Sequence, residues 1–181
     1  MAKTFLELVQ ERRSIRKYKP EKVPREIIER CLEAARLAPS ACNSQPWSFI
    51  VVDHEPVRTK LAQAAFSGIY AMNSFAKAAP VLIVVLTERS KFIAALASRF
   101  RGVQYSLIDI GIVCAFFSLA AAAQGLGCCL LGWFDEKMIK KVLGLPQNAK
   151  IDILISLGYP LESTTIAKVR KPLSEIWRYA E

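Results

Sequence analysis

Arg12, Arg13, Ser14 and Arg16 set three guanidinium groups and a hydroxyl within five positions. A guanidinium is planar and permanently charged, and its fork donates two parallel hydrogen bonds to neighbouring phosphate or carboxylate oxygens. Such a cluster offers recognition of an anion, phosphate above all. Residue types alone also admit a solvated charged face and, taken by themselves, favour it. A second stretch, Pro39-Ser40-Ala41-Cys42-Asn43-Ser44-Gln45-Pro46-Trp47-Ser48-Phe49, holds the amides and hydroxyls of Ser40, Asn43, Ser44 and Gln45 between two prolines. A stiff loop carrying these donors suits a planar polar ligand. An ordinary helix-to-strand connection uses the same residue types, which are common in turns. On residues alone both readings stay open.

Other chemistries lack their parts. The single histidine, His54, sits among Asp53, Glu55 and Pro56 and reads as a surface turn residue. No Ser-His-Asp set, carboxylate pair or metal cluster is legible. The five cysteines (Cys31, Cys42, Cys114, Cys128, Cys129) form no C-x-x-C pair, and their odd number argues against a disulfide framework. They read as reduced, mostly buried thiols of a cytoplasmic protein. Cys42 is expected to be a packed bystander in its loop. Cys128 and Cys129, neighbours on an expected strand, should face opposite sides of the sheet and form no redox pair. Recognition residues without acid–base machinery are expected where a cofactor performs the reaction.

The elements that must position these residues follow from periodicity. Phe5, Leu8 and Val9 mark a first helix that ends at the arginine cluster. Pro24 suits the first position of a second helix, carried by Ile27, Ile28, Cys31, Leu32 and Ala35 and stopped before Pro39. Trp47 to Val52 reads as a strand, Arg58 to Ala65 as a helix, and Val81 to Leu86 after Pro80 as a strand buried on both faces. Tyr105 to Gln124 is the longest helix, closed by Gly125 and Gly127. Asp109 on that helix is either a buried partner for a cation or an edge residue, with the edge position favoured. Cys128 to Leu131 is a strand, Asp135 caps a helix running to Leu143, Ile151 to Leu157 is a strand, and 168–181 is a polar, aromatic-tipped tail. A central mixed sheet flanked by helices follows.

The 181 residues fit one domain with a sizeable core, and 52% of them are apolar. The segment Ile110 to Phe134 carries no charge and is long enough to span a bilayer, but Gln124-Gly125-Leu126-Gly127 interrupts it and Asp109 abuts it. A buried helix followed by a buried strand explains it better, so no membrane is expected. Met1 to Glu11 mixes charged and apolar positions and does not read as a signal peptide. The formal charge of +9 points to an anionic partner without choosing one.

Arg-Arg-Ser-x-Arg after one helix, then Ala-Pro-Ser-x-x-Asn-x-Gln-Pro-Trp-x-Phe after the next, resembles the nitroreductase family of FMN-dependent oxidoreductases. Gly125-Leu126-Gly127, leading through Leu130-Leu131-Gly132 to Phe134-Asp135, is similar to that family's flavin-edge strand. Lys168-Val169-Arg170-Lys171-Pro172 resembles its basic C-terminal segment. The resemblance implies an α+β fold of three α-β-α layers around a mixed, mainly antiparallel sheet. It implies a single domain over residues 1–181 whose tail, from about residue 165, extends onto the partner subunit of a homodimer. It implies FMN, with its phosphate held by Arg12, Lys168 and Arg170. Arg13, Ser14 and Arg16 would contact the phosphate, the ribityl chain or the pyrimidine edge. Pro39, Ser40 and Ala41 would line the flavin from the partner subunit, with Asn43 and Gln45 supporting or contacting it. Leu130 would lie on the strand at the flavin edge, and the backbone of Leu131 and Gly132 would donate to flavin N5.

The implied activity is oxidation of NAD(P)H by a ping-pong route, with electrons passed to nitroaromatics, quinones or similar flat acceptors. A flavin-binding protein of the same fold with a storage, oxidase or dehalogenase role is the alternative. A basic nucleic-acid-binding module using Arg12, Arg13, Arg16, Lys17 and Lys19 is a distant one, without a recognised motif to support it. The chain departs from the larger relatives in three ways. Their Asn-x-x-Lys pair is not matched by Asn73 and Lys77, the strand before Gly132 is shorter and has no acidic residue beside the glycine, and long insertions are absent.

Overall fold

The computed structural model describes residues 4–88, 102–162 and 167–180. Helix α1 (Phe5–Glu11) opens on a capping box, in which the Thr4 hydroxyl accepts from Glu7 N and the Glu7 carboxylate accepts from Thr4 N at 2.7 Å. In α2 (Arg25–Arg36) Pro24 stands just outside the helix, one residue earlier than the sequence indicates, and Ile28, Cys31 and Ala35 form the buried face. Strand β1 (Trp47–Val52) and helix α3 (Glu55–Ala65) follow. The latter starts three residues before Arg58, because Pro56 fits a first turn where its missing N–H is no loss. A 3-10 segment, Gly68–Ala78, has no counterpart among the expected elements. Then come β2 (Val81–Thr87), α4 (Tyr105–Ala123), β3 (Gly127–Leu131), α5 (Glu136–Leu143) and β4 (Ile151–Gly158). Asp135 caps α5 as expected, its carboxylate accepting from Met138 N at 3.0 Å.

The strands lie in the order β1-β2-β4-β3, with every neighbouring pair antiparallel. Among the described residues, the parallel component is a single bridge between Ser14 and Cys128. Helices α2 and α4 cover one face, where Ile28, Val113 and Phe117 meet Ile83, Val85, Cys128 and Ile155. Helices α3 and α5 cover the other, where Leu61, Phe66 and Ile139 meet Leu82, Val84, Cys129 and Leu154. The result is the three-layer α+β arrangement. Cys128 and Cys129 therefore point into opposite cores, and both are free thiols. Burial pushes the Cys128 thiol up to about 12, so it stays protonated. Helix α4 is long and apolar enough to cross a membrane. Here its Ile110, Val113, Cys114, Phe117 and Ala121 lie in the core against α2 and the sheet, as a core helix does.

The arginine-bearing segment is stitched along the end of this sheet. Ile15 N donates to Cys128 O at 2.9 Å, Lys19 N to Tyr159 O at 2.9 Å, and Leu161 N to Lys17 O at 3.0 Å. The buried Tyr18 hydroxyl donates to Ile15 O at 2.6 Å and lies 2.8 Å from Ser156 Oγ. Desolvation by burial raises its pKa, keeping the proton that makes these bonds. Two glycines make room for the segment. Gly127 and Gly158 face each other across the β3–β4 ladder. A Cβ on Gly127 would lie 2.4 Å from Ile15 Cγ1, and one on Gly158 would lie 2.6 Å from Pro80 Cδ and 3.0 Å from Tyr18 Cδ1. Gly127 thus serves close approach, while Gly125, at φ +75°, turns the chain out of α4.

Candidate functional site

Arg12, Arg13, Ser14, Arg16, Lys168, Val169 and Arg170 line one open cleft of about 370 Å³. The capping box orients α1, the Ser14–Cys128 bridge fixes the arginine segment on β3, and the C-terminal tail folds back across it. Lys168 Nζ donates to Val9 O at the end of α1. Arg16 lies over the Phe75 ring, 5.7 Å from its centroid. Among the described residues, no ion pair joins Arg12, Arg13, Arg16, Lys168 or Arg170 to a carboxylate. The neighbouring cations differ: Lys17 pairs with Glu162 at 3.2 Å, and Lys19 with Glu21 at 4.0 Å. The Lys168 pKa is lowered, first by desolvation and then by the positive charges of Arg12, Arg13 and Arg170. Like charges gathered without an ion-pair partner among the described residues form a site that an anion relieves.

A larger cavity, about 610 Å³, lies at the starts of α2 and α3 and shares no lining residue with the arginine cleft. Its principal cation is already satisfied, since Arg25 donates twice to Asp53, at 2.7 and 3.1 Å. Volume favours this cavity; unpaired charge favours the cleft. Anion recognition depends on charge, so the cleft is the candidate site.

Beside the cleft, β3 carries the next candidates. Leu130 is 41% exposed, Leu131 is buried, and Gly132 leaves the strand into solvent. The backbone after Gly132 is braced by the 3-10 segment. Asn73 Nδ2 donates to Trp133 O at 2.9 Å, and Trp133 Nε1 donates to Ile69 O at 3.0 Å. The Trp133 ring packs on Tyr70 with centroids 5.1 Å apart and planes tilted by 50°. Trp133, Tyr70 and Phe75 were not among the sequence candidates. Their only sequence signal is the placement of Trp133 directly after Gly132. Asn73 thus acts on the Gly132–Trp133 turn, while the Lys77 carbonyl accepts from Arg58 at 2.9 Å.

The loop that carries Pro39, Ser40, Ala41, Asn43 and Gln45 lines no part of the arginine cleft. Its backbone is unusual. Cys42, Asn43 and Gln45 have φ of 53°, 49° and 47°. Non-glycine residues in this left-handed region cost on the order of 1–3 kcal/mol each, least for Asn, so surrounding contacts must hold them. Ser40 Oγ accepts from Gln45 N at 2.9 Å, and Asn43 Oδ1 accepts from Gln45 Nε2 at 2.9 Å. Asp109 Oδ1 accepts from Ala41 N at 3.0 Å. Two expectations are corrected here. Asp109 is no edge residue: only 3% of it is exposed, because the loop folds back over α4. Cys42 is exposed rather than packed, because its left-handed backbone turns it outward. His54 is on the surface, as expected.

Residues 9–159 match the nitroreductase family. A Thermus thermophilus NADH dehydrogenase is 30% identical, over 92% of this chain and 92% of its own length. Iodotyrosine deiodinase 1 of Sus scrofa is 27% identical, over 95% of this chain and 67% of its own length. A protein of Exiguobacterium sibiricum, described as a candidate nitroreductase in complex with FMN, superposes with a TM-score of 0.81 at 26% identity, over 99% of each chain. The match spans the arginine segment, the loop after α2 and the β3 edge, and with the shared fold it establishes that the chain belongs to the nitroreductase family.

Proposed function

We propose that this protein is an FMN-dependent NAD(P)H oxidoreductase. The observation that carries it is the cleft of Arg12, Arg13, Arg16, Lys168 and Arg170, whose charges have no carboxylate ion-pair partner among the described residues. These residues fit a phosphate monoester. Arg12 with Lys168 and Arg170 would hold the phosphate, and Arg13, Ser14 and Arg16 would meet the ribityl chain or the pyrimidine edge. FMN, when bound, supplies hydride acceptance at N5 and electron delivery to a second substrate. The chain's contribution is to bind, orient and polarise. The backbone of Leu131 and Gly132 would donate to flavin N5 at the strand end, where Asn73 donates to Trp133 O and braces the turn that follows. Positive charge from the arginine segment favours the anionic reduced state of a ligand seated there. The NAD(P)H donor and a flat acceptor such as a quinone or nitroaromatic would use the opening in turn, a ping-pong order.

The loop of Pro39 to Gln45 lines no part of the cleft, which supports a homodimer in which it completes the partner's site. Exposed apolar side chains support the same assembly: Phe5 and Leu6 on α1, Leu107, Ile108 and Phe116 on α4, and Leu173, Ile176 and Trp177 in the tail. The whole chain would act as one domain, with the tail reaching onto its partner; residues 165, 166 and 181 of that tail lie outside the described residues. A cytoplasmic setting accords with the free cysteines.

Similarity to iodotyrosine deiodinase 1 favours one second reading, reductive dehalogenation on the same scaffold. Anaerobic reduction of the FMN-loaded protein by NADH or NADPH, followed by addition of a quinone, a nitro compound or an iodotyrosine, separates the two. Reoxidation by quinone or nitro compound with steady NAD(P)H turnover is expected. Reoxidation by iodotyrosine alone would establish the second reading instead.

A further inference from the structure

Helix α4 holds one residue with a formal charge, Asp109, and buries it among Ile110, Val113 and Cys114. A carboxylate in such surroundings is retained only against a desolvation penalty. It makes one hydrogen bond, from Ala41 N, and its second oxygen has no partner. The other buried side-chain polar atom without a partner, among the described residues, is Ser44 Oγ in the loop that Asp109 holds. That loop carries three left-handed, non-glycine residues at positions 42, 43 and 45. Its remaining side-chain restraints, from Ser40 and Asn43, are internal to it. Among the described residues, Asp109 is the side-chain tether that comes from another element.

We propose that Asp109 is a positioning residue. Its hydrogen bond to Ala41 N pins the strained Ala41–Gln45 turn to α4, so the loop meets its ligand already shaped. The ligand assignment rests on the FMN reading of the site; the tether itself does not. The strain explains why a tether is needed, since relaxation of Cys42, Asn43 and Gln45 to negative φ would carry the loop's donors away. An acid is suited to the task because it sets a strong acceptor on an otherwise apolar stretch of α4, 107–117.

Two substitutions remove the bond from opposite ends. Asp109→Ala deletes the acceptor. Ala41→Pro deletes the donor, at a position where Ser40 (φ −146°, ψ 156°) already has the extended backbone that proline requires of its predecessor. Asp109→Asn keeps an acceptor oxygen and serves as the conservative rescue. Amide exchange of residues 42–45 in flavin-free protein, FMN affinity by fluorescence quenching and the flavin absorption band shape are measured for each. Asp109→Ala and Ala41→Pro are expected to speed exchange in the loop at least tenfold, weaken FMN at least tenfold and alter the band shape. The double variant should lose no more than the worse single variant, and Asp109→Asn should stay within threefold of wild type. Unchanged exchange, wild-type FMN affinity in folded Ala41→Pro, or additive losses would each overturn the assignment. Should Asp109→Ala fail to fold, Ala41→Pro and Asp109→Asn decide alone. A wild-type protein that binds no FMN defeats the cofactor reading, and amide exchange then still decides whether Asp109 holds the loop.

Discussion

At the scale of single residues, the cleft is a contest between repulsion and ligand charge. Arg12 offers a bidentate fork, and a hydrogen bond to a charged group is worth about 1.5–3 kcal/mol. Arg12→Ala should therefore weaken FMN binding roughly tenfold to a hundredfold in an equilibrium titration of flavin-free protein. Arg12→Lys should recover only part of the loss, because an ammonium keeps the charge without the planar fork. Lys168 adds a pH dependence. Its pKa is lowered, by desolvation and then by Arg12, Arg13 and Arg170, so its proton leaves at a lower pH than that of a free lysine. Without ligand, the repulsion is present below that lowered pKa and eases as pH rises through it. A bound phosphate reverses the sign, since it favours the ammonium. FMN affinity should thus be full below the lowered pKa and decline as pH climbs through it. Lys168→Met should flatten that alkaline decline; an unchanged profile would remove Lys168 from the phosphate site.

At the scale of elements, the arginines are placed by a strand end. Ile15 and Tyr18 pack where Gly127 and Gly158 omit side chains, and the bridge to Cys128 sets the register. Gly127→Ala would push a methyl against Ile15, an overpacking worth about 1–3 kcal/mol of stability. It should lower the melting temperature and weaken FMN binding together. Pairing it with Ile15→Ala should restore more FMN affinity than Ile15→Ala alone retains; simple additivity would mean the contact does not transmit to the cleft. These contacts also mark what the sequence conveyed. Helix α2 was legible because burial on one stripe leaves an apolar period, and α4 and β2 because burial on more than one side leaves an uncharged or continuous apolar run, closed by Gly125 and Gly127 or opened by Pro80. The 3-10 segment Gly68–Ala78 was not, because its small and mixed residues follow no single period. Asp109 was misread for a related reason: one acid near the start of an apolar helix reveals nothing about which distant loop folds over it. The arginine cluster was legible as chemistry, while its union with Lys168 and Arg170 depends on the tail's return over more than a hundred and fifty residues of chain.

At the scale of the whole molecule, the apolar surface of α1, α4 and the tail awaits a second copy. Light scattering should give about twice the 20.2 kDa chain mass. Charges introduced at Ile108 and Phe116 should yield a monomer that binds FMN poorly, because the Pro39 to Gln45 loop would then be missing from each site. A monomeric wild type with full FMN affinity would place that loop outside the site. The central claim is more basic, and the visible spectrum of the purified protein after incubation with FMN and removal of free ligand tests it most directly. Retention of one flavin per chain, with absorbance that NADH or NADPH bleaches under anaerobic conditions, is the expected result. A colourless protein that no FMN concentration reconstitutes would contradict it.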